Sequence, residues 1–250
     1  MLHDRTNPDR KEEFRIVVTG GFGSGKSSVL NVILDDIVLP SRAVPCTEVI
    51  TELRYGDQKK VIVYPKKGMH QGGDMPFEIE PEKLSEYQSF AMNQDRSVRN
   101  PFEKIEVYWP VMSLSNGLVL IDTPAHNDWE TPIVFTYASA DLILYCLNVA
   151  CVFSMTDVRI LEQLNAIADN NLVCLITRMD IVDNTEDLQR IYTYCEQRCN
   201  KLGLRQPPFY VSNRLALEAL QENSDTQYAL SGFAPLMNEI DSRISASRMR

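Results

Sequence analysis

The sequence lacks a long apolar run, an excess of basic residues and an apolar stretch near its start. The longest apolar run, Leu142 to Phe153, is interrupted by Asn148 and is shorter than the roughly 18–20 residues that a bilayer span needs. With 25 basic against 34 acidic side chains and a net charge of −9, the chain on average repels phosphate surfaces. Residues 1–14 contain no apolar segment of the secretion-signal type. These absences predict a cytoplasmic protein that has no nucleic-acid partner.

The cysteines also lack the pattern of a disulfide framework or a metal site. The six of them are scattered through apolar or helical segments, which favours reduced thiols. Cys195 and Cys199 lie one helical turn apart with no nearby histidine, so a buried helix face explains them better than a metal does. Because 44% of the 250 residues are apolar and 24% are charged, we expect one large folded domain.

Apolar segments with the periods of strands and helices alternate along the chain. The predicted strands cover residues 14–19, 48–55, 60–64, 104–109, 118–121, 142–150, 172–177 and 209–211, and the predicted helices cover 26–34, 155–168, 187–202 and a final segment from Phe233 to Ile244. Ser115 to Gly117 reads as a hairpin turn between two of these strands. Strands that alternate with helices of this length predict an α/β fold with a mixed, mostly parallel sheet covered by helices on both faces.

One motif indicates a phosphate site. Residues 20–27 fit the pattern G-x-x-x-x-G-K-[ST], and they lie between a predicted strand and a predicted helix, as the motif requires. The glycines let successive N–H groups point at phosphate oxygens, Lys26 reaches the β- and γ-phosphates, and the Ser27 hydroxyl ligates Mg²⁺. The predicted nucleotide-binding residues of this loop are Gly21, Phe22, Gly23, Ser24, Gly25, Lys26, Ser27 and Ser28.

Two further carboxylates follow predicted strands. Asp122 ends the strand before Pro124, where it can hold the water shell of a Mg²⁺ ion bound with the phosphates. Asp180, in the segment Thr177-Arg178-Met179-Asp180, can accept two hydrogen bonds from the N1–H and the exocyclic amine of guanine. Each segment alone is a common turn, but their order after the phosphate loop predicts a guanine-nucleotide site.

With these motifs in place, the sequence resembles a GTPase of the Ras-like fold, and more closely the GTPase domain of the dynamin superfamily, particularly its bacterial dynamin-like and mitofusin-like members. The resemblance covers about residues 14–245. It implies a P-loop GTPase domain over residues 13–250 with dynamin-type extra strands and an insertion around 57–105, preceded by a flexible arm at residues 1–12. The segments that carry it are GKSSVLNVIL (25–34), AVPCTEVITELRYGD (43–57), KIEVYWPV (104–111), NGLVLIDTP (116–124), TRMDIVD (177–183) and FYVSNRLALEAL (209–220).

The resemblance also implies roles for individual residues. Thr47 matches the switch I threonine that coordinates Mg²⁺, and Asp122 matches the switch II aspartate. Further along the chain, the resemblance assigns guanine-contacting positions to Thr177, Arg178, Asp180, Ser212 and Asn213.

The sequence departs from the family pattern at four places. Ala125 stands where the switch II motif has glycine, and Arg178 stands where the guanine motif has lysine. Phe22 and Gly23 replace the Gln and Ser that help to position the attacking water in eukaryotic dynamins. Neither replacement has a side chain that can orient water, so hydrolysis is expected to be slow or to use another group.

Two residues are candidates for that group. His126 directly follows Asp-Thr-Pro-Ala, where translation-factor GTPases place a water-orienting histidine; its alternative is a solvated loop histidine. Arg42 could stabilise the developing charge, although a plain surface arginine is the simpler interpretation. We therefore take Lys26, Thr47 and His126 as the catalytic candidates, and Ser27, Thr47 and Asp122 as the metal ligands.

The function expected from the resemblance is Mg²⁺-dependent hydrolysis of GTP to GDP and phosphate, coupled to pairing with a second copy or a related dynamin-like partner. Membrane contact is expected only indirectly, through segments or partners outside this chain. The alternative is a nucleotide-binding switch or scaffold with negligible turnover. A small-molecule P-loop kinase fits the phosphate loop but not the segment that ends in Asp180, and no Arg-rich lid is visible.

Overall fold

The computed structural model describes residues 13–40, 49–70, 72–89, 100–124, 136–168 and 171–249. The arm predicted at residues 1–12 lies outside this range. Within the described residues, no helix combines the length and the apolar character that a bilayer crossing requires.

A nine-stranded sheet forms the centre of the domain. Its order is β4-β3-β5-β2-β6-β1-β7-β8-β9. The strands are β1 (Phe14–Gly20), β2 (Ile50–Tyr55), β3 (Lys60–Pro65), β4 (Phe77–Ile79), β5 (Phe102–Trp109), β6 (Leu118–Asp122), β7 (Leu142–Asn148), β8 (Leu172–Thr177) and β9 (Phe209–Tyr210).

The sheet has a parallel half and a mixed half. Strands β6, β1, β7, β8 and β9 run parallel to one another, so their carboxyl ends meet at one edge. β2 pairs antiparallel with β6, and β5, β3 and β4 extend the sheet beyond β2. β3 and β4 lie inside residues 57–105, where the sequence predicts an insertion. The extra strands therefore widen the sheet on the side away from β7, β8 and β9.

Helices cover the two faces of the sheet. They are α1 (Lys26–Leu34), α2 (Leu84–Gln88), α3 (Met155–Ile167), α4 (Thr185–Lys201), α5 (Asn213–Glu222), α6 (Asp225–Leu230) and α7 (Phe233–Arg248).

Successive residues of β1 face opposite cores because side chains alternate along a strand. Val18 packs in the cluster that α1, α5 and α7 close, whereas Val17 packs in the cluster that α3 and α4 close. Cys195 and Cys199 are buried in the second cluster, as the sequence predicts. The expected mixed sheet with helices on both faces is confirmed.

Most element bounds agree with the sequence prediction, but one pairing was wrong. β5 and β6 do not form a hairpin, because β2 lies between them and pairs with both. The turn at 115–117 instead follows a short 3-10 helix, Met112–Leu114, whose Leu114 is buried in the core. Strand pairing thus depends on segments that are distant in sequence, and a local turn pattern does not show which strands pair.

The first turn of α3 offers a test of local stability. Ser154 Oγ accepts a hydrogen bond from the Asp157 N–H at 3.2 Å, and the Asp157 carboxylate accepts one from the Ser154 N–H at 3.0 Å. This reciprocal capping box satisfies two backbone donors at the helix start. Ser154→Ala is expected to lower the free energy of unfolding by about 1 kcal/mol.

Thermal unfolding followed by circular dichroism measures the effect. At this chain length we expect the midpoint to fall by about 2–4 °C. Ser242→Ala is the matched control, since Ser242 is exposed within α7 and caps no helix. An unchanged midpoint for Ser154→Ala would contradict the assigned role of the cap.

Candidate functional site

The loop between β1 and α1 has a backbone that requires glycine at two points. Gly20 has φ 143°, and a Cβ there would lie 2.3 Å from the carbonyl oxygen of Cys146. Gly25, the N-cap of α1, has φ 85°, and its Cβ would lie 2.6 Å from the Asn213 Nδ2 atom. These conformations curl the loop over the amino end of α1, where free N–H groups and the helix dipole favour an anion. The predicted phosphate-binding loop therefore has the local geometry that the motif needs.

Lys26 supplies a buried cation inside this loop. Its ammonium group donates to the carbonyl oxygens of Gly20 at 3.2 Å and Gly21 at 3.1 Å, and the side chain is almost fully buried. Burial lowers the pKa of Lys26 from its ordinary value, and the negative charge of Asp122 opposes this shift. Neutral carbonyl groups are modest partners for a buried cation. An anion that enters the loop is therefore strongly favoured.

The two predicted metal ligands that the structure describes are in contact. Ser27, in the first turn of α1, donates through Oγ to Asp122 Oδ2 at 2.8 Å, and Asp122 is fully buried at the end of β6. A hydroxyl and a carboxylate are the hard oxygen donors that Mg²⁺ prefers. The described part of the chain contains no cluster of three or more His, Cys, Asp or Glu side chains that could hold a metal ion. The residues fit Mg²⁺ bound through these oxygens together with phosphate and water.

Thr177 connects β8 to the phosphate loop rather than pointing into open space. Its buried hydroxyl lies 2.8 Å from the carbonyl oxygen of Ser24 and 3.2 Å from that of Leu147. Asn213, the first residue of α5, donates through Nδ2 to the carbonyl oxygen of Gly25 at 3.0 Å. The segments predicted to read the base are thus tied directly to the loop predicted to hold the phosphates.

The carboxylate of Asp180 is held in place by α5. Ser212 Oγ donates to Oδ1 of Asp180 at 2.6 Å, and Arg214 Nε donates to Oδ2 at 3.0 Å. Burial acts to raise the pKa of Asp180, but the hydrogen bonds from Ser212 and Arg214 outweigh it and hold that pKa below its ordinary value. Asp180 therefore remains ionised at neutral pH, as a hydrogen-bond acceptor for a base must be.

The structure describes four further predicted residues, and four others lie outside the described residues. Phe22 is exposed at the tip of the loop, Ser24 is buried beneath it, and Ser28 lies in the first turn of α1. Arg178 is exposed in a left-handed conformation next to Asp180. The remaining candidates, Thr47, His126, Arg42 and Ala125, lie outside the described residues.

The structure adds one contact that the sequence reasoning missed. Arg214 pairs with Asp180 and also donates to both carboxylate oxygens of Glu218 at 3.1 Å. Its position directly after the predicted base-contacting residues Ser212 and Asn213 was the available signal.

At the phosphate end, Lys26, Ser27 and Asp122 come together at the carboxyl edge of the parallel strands.

Comparisons with known proteins agree with this geometry. The model of the dynamin family matches residues 16–179. A bacterial dynamin-like protein of Nostoc punctiforme is 31% identical over 126 residues, which cover 47% of this chain and 17% of that protein. Dynamin-like protein 2 of Campylobacter jejuni is 26% identical over 228 residues, which cover 89% of this chain and 34% of that protein.

A solved structure has the same fold. A chain of an oligomerised bacterial dynamin pair, described as a mechanism for long-range sensing and tethering of membranes, superposes with a TM-score of 0.70 at 16% identity. The match covers 96% of this chain and 48% of that chain, so this chain spans less than half of each of these three proteins. Since the family model covers the phosphate loop, Asp122 and the strand before Asp180, the chain belongs to the dynamin family and has its α/β P-loop GTPase fold.

Proposed function

We propose that this domain binds GTP together with Mg²⁺ and hydrolyses it to GDP and phosphate. The observation that carries the proposal is the convergence of three groups from two separate elements. Lys26 and Ser27 begin α1, Asp122 ends β6, and Ser27 and Asp122 are in hydrogen-bond contact. A buried cation beside a hydroxyl and a carboxylate suits a metal-bound triphosphate and few other ligands.

The chain's own groups act mainly by positioning and by electrostatics. The N–H groups of the loop and the ammonium group of Lys26 hold the β- and γ-phosphates while water attacks the γ-phosphorus in line. Because Lys26 is shielded from solvent, its charge offsets the negative charge that develops on the phosphate oxygens more strongly than it would in water. When bound at Ser27 and Asp122, Mg²⁺ supplies further charge neutralisation and fixes the phosphate chain. Thr47 and His126 are proposed as the switch I ligand and the water-orienting group.

Guanine is the proposed base. The ionised Asp180 can accept hydrogen bonds from the N1–H and the exocyclic amine of guanine, a pair of donors that adenine does not have. Arg178 lies beside it with an exposed, planar guanidinium that can stack on the ring. Ser212 and Asn213 complete the base end of the site.

Pairing of two GTPase domains is the proposed context of hydrolysis. Apolar side chains are exposed around the carboxyl edge of the sheet, with Phe22 57% exposed, Met155 92% exposed and Ile181 52% exposed. A second domain placed on this edge would bury them, consistent with family membership.

We place the protein in the cytoplasm, with residues 1–12 as an arm, 13–250 as the GTPase domain and an insertion at 57–105. Membrane contact is proposed only through other segments or partners.

A switch or scaffold with negligible turnover is the second candidate. Phe22 favours it, because the exposed tip of the loop carries a phenyl ring that offers no hydrogen bond to water. Such a protein would bind GTP and change partners without consuming it.

Nucleotide binding is tested first with Lys26→Ala. Loss of the buried ammonium group removes charge-assisted hydrogen bonds to the phosphates, so the affinity for labelled GTP is expected to fall at least about 100-fold. Fluorescence anisotropy measures the binding, and Lys201→Ala, an exposed lysine at the end of α4, is the control. Retained affinity in Lys26→Ala would remove the phosphate site from the proposal.

Base selection is tested with Asp180→Asn. The wild-type protein should prefer GTP over ATP, whereas the variant should lose roughly 10- to 100-fold in GTP affinity and gain affinity for xanthosine triphosphate. The amide can donate to the additional carbonyl group of xanthine, which a carboxylate repels. Competition binding reports both changes, and Asp183→Asn, an exposed neighbour, should change neither. Equal wild-type affinities for GTP and ATP would exclude guanine selection.

Turnover is tested by following phosphate release at saturating GTP across a range of protein concentrations. If paired domains complete each other's site, the rate per molecule should rise with concentration. A rate strictly proportional to protein would instead point to a group acting within one chain, and His126→Ala and Arg42→Ala would decide between the two candidates. Release no faster than in buffer at every concentration would favour the scaffold.

A further inference from the structure

Three hydroxyl groups meet behind the phosphate loop and form what we call the hydroxyl triad: Thr19, Thr123 and Tyr137. The Tyr137 hydroxyl lies 2.7 Å from Thr19 Oγ1, and Thr123 Oγ1 lies 3.0 Å from the same atom. Thr123 Oγ1 is also 3.1 Å from the carbonyl oxygen of Val18. The side chains of all three are buried, with Tyr137 only 1% exposed.

The triad joins chain segments that border the two halves of the phosphate site. Thr19 immediately precedes Gly20, whose carbonyl oxygen accepts a hydrogen bond from Lys26. Thr123 immediately follows Asp122, which contacts Ser27. Tyr137 lies in residues 136–141, which lead into β7. The triad therefore adds side-chain contacts through Thr19 to the pairing of β1 with β6, which already brings Val18 opposite Asp122.

Packing alone does not account for a tyrosine at this place. Tyr137 lies in the apolar cluster that includes Val17, Ile121 and Tyr145, where a phenylalanine ring would fill the same space without a hydroxyl to desolvate. Burial raises the pKa of Tyr137 to about 12, so its hydroxyl keeps its proton at neutral pH. The hydroxyl is retained in an apolar cluster because it has partners there.

We propose that Tyr137 is a positioning residue for GTP hydrolysis, which acts through Thr19 and Thr123 to hold Asp122 and the phosphate loop in register. This inference rests on the proposed function. It assigns to the triad the alignment of the γ-phosphate with the metal-binding edge, whereas Lys26 and the loop N–H groups provide the binding energy. A misplacement of about 1 Å can lower the rate about 100-fold, and an interaction made mainly in the transition state affects kcat rather than affinity.

The first experiment compares Tyr137→Phe with Tyr64→Phe. The Tyr64 hydroxyl, in β3 towards the other edge of the sheet, donates to Glu106 at 2.7 Å, so both variants lose a hydrogen-bonded hydroxyl and keep the ring. For Tyr137→Phe we expect kcat to fall about tenfold, the effect of one hydrogen bond lost mainly in the transition state, with KM and the Kd for GTP within about twofold. Tyr64→Phe should retain the wild-type kcat and KM.

The second experiment tests whether the hydroxyl groups act as one unit. Thr19→Val removes the central hydroxyl and Thr19→Ser keeps it, so only the valine variant should lose kcat. The double variant Thr19→Val/Tyr137→Phe should lose less than the sum of the two single losses, because Thr19→Val already removes one of the two hydroxyl partners of Tyr137. Rates are measured well below each variant's unfolding midpoint, where a merely structural role leaves kcat unchanged.

The possible outcomes separate the inference from the proposed function. Wild-type kcat in Tyr137→Phe, or fully additive losses in the double variant, would overturn the role of the triad while leaving GTP hydrolysis intact. A wild-type protein that binds GTP without turnover would overturn the proposed hydrolysis and this inference together. A selective, non-additive loss of kcat that Thr19→Ser does not show supports the triad.

Discussion

A lysine ammonium group buried under a loop of glycines sets the conditions for the rest of this site. Water cannot solvate it fully, and the carbonyl oxygens of Gly20 and Gly21 replace that solvation only in part. The loop can hold the charge because Asp122 lies close enough to oppose the fall in its pKa. A negatively charged phosphate would therefore stabilise the buried ammonium group better than the neutral carbonyl oxygens of the protein do.

The sheet determines which groups can share that environment. Parallel pairing of β6, β1 and β7 brings the ends of distant segments to one edge, so Asp122 reaches Ser27 across 95 residues of sequence. β8 extends the same edge and brings Thr177 against the back of the loop. The strands β3, β4 and β5 add width on the opposite side, so they enlarge the domain while the site stays at the edge formed by the parallel strands.

The sequence predicted those parts of the molecule whose physics is local. A β-branched run that ends in glycines, followed by a lysine and two serines, allowed β1 and α1 to be predicted, and β8 has the predicted bounds. The prediction of a hairpin at 115–117 was wrong because strand pairing depends on partners far along the chain. α5 was missed although its apolar residues have helical spacing, since its short pattern follows a loop directly. Contacts such as that of Tyr137 with Thr19 join residues more than a hundred positions apart, and no local sequence pattern predicts them.

The hydrogen bond from Asn213 to the carbonyl oxygen of Gly25 has a further consequence. It ties the turn proposed to contact the base to the proposed phosphate loop at Gly25, whose left-handed backbone favours glycine. Together with the hydrogen bond from Thr177 to the carbonyl oxygen of Ser24, it holds the two ends of the proposed nucleotide cleft at a set distance. If the two ends bind base and phosphates as proposed, the cleft would select ligands by length, because a base joined to its phosphates by a longer or shorter linker would fit one end only.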